Sequence, residues 1–141
     1  MEGVMPSGIM GIGIDIVDVR RIAALWERHP DRFVHRLLSD AEQAHLETLT
    51  VIRLAGRWAA KEAVSKAMGS GFTGFGLSDI EIFNTALGMP YVRLRPAAAC
   101  VAAQRGIGSF LLTISHEREM AIAQAMAFPL DRMVDKVELT S

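Results

Sequence analysis

The stretch GRWAAKEAVSKAMGSG, residues 56–71, decides the fold, because it predicts the longest helix of the chain, which ends at glycines. At about 100° per residue, its alanines share one side of the helix, whereas Arg57 and Lys61 lie on the other side. Glu62 and Lys66 lie between Trp58 and Ala59, among small and apolar residues on the side that is expected to pack. Because the burial of an unpaired charge is costly, these two side chains need a structural or a functional explanation.

Two explanations fit Glu62 and Lys66. They are four residues apart in the orientation that favours a simple ion pair on a helix surface. In the alternative, the carboxylate of Glu62 holds a hard cation and the ammonium of Lys66 contacts a phosphate. The spacing alone does not choose between an ion pair and a site.

A second carboxylate lies in the predicted strand MGIGIDIVDV, residues 10–19. With a period of two, its isoleucines share one face, whereas Gly13 and Asp15 share the other. Asp15 either faces water from an edge strand or faces a ligand, for which the neighbouring glycines leave room. Together, Asp15 and Glu62 are suited to hold Mg²⁺ with places left for water and phosphate oxygens, as phosphoryl transfer requires.

The remaining segments predict an α+β fold with a mainly antiparallel sheet, packed with one long and several short helices. No repeat or low-complexity linker divides the chain, so we expect a single domain over residues 1–141, with flexible extensions at 1–9 and 129–141. The segments that carry this prediction are a capping box at Ser39 and Glu42, the long helix over 51–68, a hairpin around the turn 84–88, a helix from Pro96, and a final hairpin.

The composition narrows the classes of function. The net charge of −1 argues against nucleic-acid binding by electrostatics. No apolar run approaches the roughly 18–20 residues that cross a membrane, and the start has no basic segment, so a cytoplasmic protein is expected. The single cysteine, Cys100, excludes an internal disulfide, and four scattered histidines argue against a zinc site.

Five arginines lie between residues 20 and 36, against only two acidic residues, Glu27 and Asp31. This basic segment indicates an acidic partner or a phosphorylated ligand, or it is a solvated helix face. Further along, Ser115 and His116 are neighbours on a predicted strand, so their side chains point to opposite faces and cannot form a nucleophile–base pair. His116 is either a structural histidine or, at the strand end, a contact for a phosphate.

In this order, the segments GIGIDIVDVRRI, RLLSDAE, AGRWAAKEAVSKAMGSG, DIEI with GMPYV, and LTISHE resemble the holo-[acyl-carrier-protein] synthases. These are the small bacterial type of 4′-phosphopantetheinyl transferase. The resemblance covers residues 10–128, and the combination of GIGIDI with RWAAKEAVSKA is its most specific part.

The resemblance implies transfer of the 4′-phosphopantetheine arm of coenzyme A to a serine of apo acyl carrier protein, in fatty acid biosynthesis. Adenosine 3′,5′-bisphosphate is the other product. It also implies a homotrimer whose active sites are shared between subunits. The implied roles are catalysis by Asp15, Glu62 and Lys66, with Asp15 and Glu62 holding Mg²⁺; contact with coenzyme A by Arg57, Lys66, Ser115 and His116; and docking of the acidic carrier protein by Arg20, Arg21 and Arg28.

Two other functions share some of these features. A catalytically silent module that binds carrier proteins would keep the basic segment but could lose Asp15, Glu62 or Lys66, and all three are present. A different Mg²⁺-dependent enzyme, such as a hydrolase of a nucleotide-like phosphodiester, would need no basic docking helix. The arginine cluster therefore counts against the hydrolase.

Overall fold

The computed structural model describes residues 8–130 and confirms the predicted α+β fold. Its strands form two antiparallel sheets rather than one, with the orders β1-β5-β4 and β2-β3. Most of the two predicted extensions, residues 1–7 and 131–141, lies outside the described residues. The elements in chain order are β1 (Gly11–Asp18), α1 (Val19–Arg28), α2 (Pro30–Leu37), α3 (Asp40–Leu46), α4 (Val51–Met68), a 3₁₀ turn (Leu77–Asp79), β2 (Ile80–Asn84), β3 (Pro90–Leu94), α5 (Pro96–Gln104), β4 (Ile107–His116) and β5 (Met120–Pro129).

Helix α4 has the predicted bounds and lies at the centre of the fold. The Oγ1 atom of Thr50 accepts a hydrogen bond from the N–H of Arg53 at the helix start, and Gly69 ends the helix with a φ of 77°. This left-handed conformation suits glycine because glycine lacks a Cβ. Although α4 has 18 residues, no helix between residues 8 and 130 is long and apolar enough to cross a membrane.

The glycines of β1 allow α4 to lie directly against the strand. A Cβ on Gly13 would lie 2.0 Å from the carbonyl oxygen of Ala63, and one on Gly11 would lie 2.1 Å from that of Ala67. The expectation that these glycines leave room for a ligand is therefore wrong, since the helix backbone occupies that space. Strand β5 supplies the other small surface under the helix, with the buried residues Ala121, Ala123, Ala125 and Ala127.

The opposite side of α4, where Arg57 and Lys61 lie, is buried too. Lys61 is fully buried, and its Nζ donates to Glu42 Oε1 at 2.7 Å and to the carbonyl oxygen of Leu37. Glu42 Oε2 accepts from the N–H of Ile82 at 2.9 Å, so the pair joins α2, α3 and β2 to α4. Burial lowers the pKa of Lys61 to about 8, although the Glu42 carboxylate opposes this shift.

The predicted capping box at the start of α3 is confirmed. The N–H of Glu42 donates to Ser39 Oγ at 3.2 Å, and the N–H of Ser39 donates back to Glu42 Oε1 at 3.0 Å. Glu42 thus caps its own helix and also accepts a hydrogen bond from the ammonium of Lys61. Because every oxygen of this buried carboxylate has a donor, its charge is tolerated in the core.

The face of the three-stranded sheet that points away from α4 is apolar and exposed. Ile12, Ile14 and Ile16 of β1 are 64%, 56% and 59% exposed, and Leu111 of β4 is 60% exposed. By the strand register, Ile122 and Met126 lie beside them on β5. Gln124 lies between these two residues, opposite Ile14, so the face is apolar with a polar centre. Exposed apolar residues grouped in this way are typical of an interaction surface.

Candidate active site

Strand β1 and helix α4 bring Asp15, Glu62 and Lys66 together. Lys66 Nζ donates to Asp15 Oδ1 at 3.3 Å and to the carbonyl oxygen of Ile14 at 2.8 Å. Partial burial and the nearby Asp15 carboxylate raise the pKa of Glu62, whereas Lys66 and Arg21 act in the opposite direction. The two carboxylates that the sequence singled out are therefore electrostatic neighbours.

The geometry tests two alternatives to a cation site: an ion pair between Glu62 and Lys66, and an Asp15 side chain that faces water. Within residues 8–130, the salt bridge of Lys66 is with Asp15 and not with Glu62, so the pattern is not that of a simple helix ion pair. Asp15 does lie on an edge strand, as β1 ends the order β1-β5-β4. Its side chain is only 18% exposed, however, because it faces the helix.

The donor set suits a hard divalent cation. Residues 8–130 contain no cluster of three or more His, Cys, Asp or Glu side chains, so the protein offers Asp15 and Glu62 alone. Mg²⁺ is commonly bound through one or two carboxylates, with water and substrate phosphates completing its octahedron. A cation here would also relieve the repulsion that contributes to the raised pKa of Glu62. The residues present therefore fit Mg²⁺.

A polar cleft of about 720 Å³ opens on another side of α4, beside Arg57. Arg57 is buried, and its Nε has no hydrogen-bond partner within residues 8–130, while burial lowers the pKa of its guanidinium. A desolvated cation with an unused donor is suited to bind an anion. The cleft is lined by His45, Leu46, Glu47, Thr48, Thr50, Arg53, Arg57 and Asn84, and an adjoining hollow adds Ile52, Gly56, Gly88, Pro90, Ile114 and His116.

The residues predicted to contact coenzyme A lie in three places within one chain. Arg57 and His116 line the cleft and its adjoining hollow, and Lys66 lies beside Asp15. Ser115 lies on the exposed apolar face of the sheet, opposite His116, as the strand alternation predicts. At about 100° per residue, Arg57 and Glu62 are about 140° apart around α4. One chain therefore does not bring all of these residues together.

Sequence reasoning missed the other polar residues of the cleft. The sequence predicts only a turn at Asn84, yet its Oδ1 accepts a hydrogen bond from Arg57 and its Nδ2 donates to the carbonyl oxygen of Gly88 at 3.2 Å. His45 is one of four histidines scattered along the sequence. The signal that could have found them is weak, because α3, α4 and β2 meet at the cleft only in three dimensions.

Comparison with known proteins decides the family. The sequence model of the 4′-phosphopantetheinyl transferase superfamily matches residues 11–124. The holo-[acyl-carrier-protein] synthase of Desulforudis audaxviator is 46% identical over 121 residues, which cover 84% of this chain and 92% of that protein. The chain belongs to the holo-[acyl-carrier-protein] synthases. The activity of this family is transfer of phosphopantetheine from coenzyme A to apo acyl carrier protein.

Solved structures of synthases agree with this membership. The acyl carrier protein synthase of Plasmodium yoelii with ADP bound superposes with a TM-score of 0.80 at 36% identity, over 87% of this chain and 97% of that one. The Helicobacter pylori synthase in complex with coenzyme A gives a TM-score of 0.73 at 32% identity, over 82% of this chain and 98% of that one. The fold described here is therefore that of a synthase.

The predicted docking arginines of this synthase differ in their surroundings. Arg20 pairs with Asp18 at 2.8 Å, and these mutual contacts raise the pKa of Arg20 and lower that of Asp18. Arg21 lies over the ring of Trp58, 5.4 Å from its centroid, and close enough to lower the pKa of Glu62. Arg28 is exposed in the last turn of α1. The basic surface therefore adjoins the carboxylate pair through Arg21.

Proposed function

We propose that this synthase carries out its transfer with Mg²⁺ held by Asp15 and Glu62. The observation that carries the proposal is the pairing of two carboxylates across β1 and α4, with the ammonium of Lys66 hydrogen-bonded to one of them. When bound, Mg²⁺ supplies charge neutralisation for the pyrophosphate oxygens of coenzyme A. The carrier is an acyl carrier protein of fatty acid biosynthesis, and the site of action is the cytoplasm.

Lys66 serves the leaving group in this proposal. The serine oxygen of the carrier forms a bond to the phosphorus that bears the pantetheine arm, and the bond from that phosphorus to the oxygen of adenosine bisphosphate breaks. Asp15 and the carbonyl oxygen of Ile14 hold the Lys66 ammonium, which neutralises or protonates that leaving oxygen. The serine proton is lost to a general base. Charge neutralisation and positioning provide most of the catalysis in phosphoryl transfer.

The cleft beside Arg57 takes the nucleotide end of coenzyme A. Adenosine 3′,5′-bisphosphate carries several negative charges, and Arg57 offers a buried cation whose Nε–H has no hydrogen-bond partner within residues 8–130. His116 lies in the adjoining hollow, where its ring can contact a phosphate. A Bacillus anthracis synthase in complex with coenzyme A (3′,5′-ADP) gives a TM-score of 0.70 at 33% identity, which supports a nucleotide site in the shared fold.

The separation of the two subsites favours a homotrimer with shared active sites. Arg57 and Glu62 lie on different sides of α4, so the nucleotide cleft of one subunit is proposed to adjoin the carboxylate pair of its neighbour. The exposed apolar face formed around Ile12, Ile14 and Leu111 is the surface that the subunits bury. Ser115 lies on the same face, so subunit packing is proposed to bring it to the nucleotide.

Arg21 and Arg28 are proposed to dock the acidic carrier protein. They are seven residues apart on α1 and therefore share one face to within about 20°. Because Arg21 also lies near Glu62, a carrier held there presents its serine next to the carboxylate pair. Arg20 extends this surface, but with Asp18 already neutralising its charge it contributes less.

Mass spectrometry of a carrier protein incubated with coenzyme A and Mg²⁺ tests the proposal. We expect the carrier to gain the mass of one phosphopantetheine. Asp15→Asn should lower the rate roughly 100-fold or more, whereas Asp40→Asn, which changes an exposed carboxylate on α3, should not. A carrier that is bound without gaining mass would favour the silent module. Cleavage of coenzyme A without a carrier would favour the hydrolase.

A further inference from the structure

His45 has a contact that the proposed chemistry does not use. Its Nε2 accepts a hydrogen bond at 3.0 Å from the backbone N–H of Asn84, the last residue of β2. The imidazole also lies edge-on to Phe83, with 5.2 Å between centroids and an interplanar angle of 86°. An imidazole nitrogen can accept a hydrogen bond only when it carries no proton, so this contact requires the tautomer whose proton is on Nδ1.

The hydrogen bonds of Asn84 connect His45 to the cleft beside Arg57. The backbone N–H of Asn84 donates to His45. Its Oδ1 accepts from Arg57, and its Nδ2 donates to the carbonyl oxygen of Gly88. One residue therefore connects α3, α4 and the turn between β2 and β3. If the backbone of Asn84 shifts, both the guanidinium of Arg57 and the turn at Gly88 lose their support.

We propose that His45 is a positioning residue for the nucleotide end of coenzyme A, acting through Asn84 on Arg57. The inference rests on the proposed function, since it assumes that the cleft beside Arg57 binds that nucleotide. His45 need not touch the ligand. Its Nε2 atom holds the end of β2 in place, and Asn84 at that end positions the buried guanidinium of Arg57.

Three substitutions of His45 separate the possible roles of its ring. The amide oxygen of Gln reaches roughly the place of Nε2, whereas the amide of Asn reaches roughly the place of Nδ1. We expect His45→Gln to keep the KM for coenzyme A close to that of the native chain. His45→Asn and His45→Leu should raise it roughly fivefold to tenfold, the loss of one hydrogen bond. The KM for the carrier protein should not change in any of them.

The KM values also distinguish a loss of binding from a loss of folded protein. A partly unfolded preparation lowers the apparent kcat and leaves both KM values unchanged. His35→Leu, at an exposed histidine on α2, is the matched control and should bind coenzyme A normally. Calorimetric titration with adenosine 3′,5′-bisphosphate should reproduce the order of the KM values. The proposal is overturned if His45→Leu binds as the native chain does, if Gln and Asn are equally impaired, or if Asn is tolerated and Gln is not.

Different results would contradict the proposed function and the positioning role of His45. If the native chain neither binds adenosine 3′,5′-bisphosphate nor modifies the carrier, the proposed function fails whatever the His45 variants do. If the native chain does both and the three variants match it, only the positioning role of His45 is lost.

Discussion

At the scale of single residues, the site combines groups that are unfavourable to keep together. Asp15 and Glu62 repel each other, and the cations of Lys66 and Arg21 partly offset that repulsion. Arg57 lies buried beside the cleft, and its Nε–H has no hydrogen-bond partner among the described residues. Proteins retain such arrangements where a ligand completes them, so the carboxylate pair fits a cation and the arginine fits an anion.

Glu62→Gln should therefore stabilise the metal-free protein while removing its activity. The raised pKa of Glu62 means that the folded chain holds a proton there more tightly than the unfolded chain does. This contribution to stability is present below the ordinary pKa of glutamate and is lost as the pH rises through the raised value. We expect the variant to have the higher Tm at about pH 8, with the difference fading toward about pH 3.

The same thermal denaturation experiment tests the metal assignment. Mg²⁺ should raise the Tm of the native chain by binding only its folded state, and it should leave Glu62→Gln unchanged. Asp40→Asn serves as the control, with a normal response to Mg²⁺. An equal rise of Tm in both proteins would remove Glu62 from the cation site.

Arg21→Ala should weaken carrier docking more than binding of coenzyme A. Removal of an exposed charge at the edge of an interface predicts a rise of roughly threefold to tenfold in the KM for the carrier, and the effect should shrink as salt is added. Arg20→Ala is the matched control and should have a smaller effect, because Asp18 already pairs with Arg20. Steady-state kinetics at several salt concentrations make the measurement. Equal changes in both KM values would contradict docking by Arg21.

At the scale of elements, the close approach of α4 to β1 sets the geometry of the carboxylate pair. The glycines of β1 and the buried alanines of β5 let the helix backbone lie close to the sheet. On the other side, the buried pair of Lys61 and Glu42 fixes the helix against α3 and β2. Helix α4 is thus held from both sides, with Glu62 and Arg57 pointing in different directions.

Gly13→Ala should be strongly destabilising. The new Cβ would lie 2.0 Å from the carbonyl oxygen of Ala63, and backbone atoms cannot move aside without displacing α4. We expect a loss of about 3 kcal/mol or more in the free energy of unfolding, measured by urea denaturation. Gly76→Ala is the control, because no atom lies within 4 Å of its added Cβ and its φ is −114°. A stable Gly13→Ala protein would show that the helix can shift away from the strand.

At the scale of the whole molecule, the described residues 8–130 hold the Arg57 cleft apart from the carboxylate pair and expose one apolar face of the sheet. Neither Asp15 nor Glu62 lines the cleft beside Arg57 or the hollow that adjoins it. The exposed isoleucines of β1 lie on the sheet face that points away from α4. A closed trimer would bury that face and bring complementary half-sites together.

Coexpression of two inactive variants tests whether the sites are shared. Glu62→Gln loses one half-site, and Arg57→Met loses the other. In randomly mixed trimers, about a quarter of the sites should combine two intact halves, so we expect about a quarter of native activity. Transfer assays on the purified mixture make the measurement. No recovery would place each complete site within one subunit.

The apolar face is tested by its own pair of substitutions. Ile14→Glu should convert the trimer to monomers in analytical ultracentrifugation, because it buries a charge in the proposed interface. Leu87→Glu is the control, since Leu87 is 98% exposed in the turn between β2 and β3 and lies outside that face. A trimeric Ile14→Glu protein would contradict this interface.

The sequence predicted the elements well because their signals are local. The bounds of α4, the capping box at Ser39 and both hairpins depend on residues close together in the chain. It also singled out Asp15, Glu62 and Lys66, since charges within apolar patterns are visible without coordinates. It failed where packing decided, as at Lys61, whose burial depends on a partner 19 residues away.

The sequence by itself determined the family, the α+β class and the three charged residues of the carboxylate site, because motif spacing and local periodicity within each segment carry that information. Only the tertiary structure decided that helix backbone fills the space beside Gly13, that Arg57 is buried in a separate cleft, and that His45 holds Asn84. These contacts join segments distant in sequence. Their formation depends on how α3, α4 and β2 pack, which no local pattern specifies.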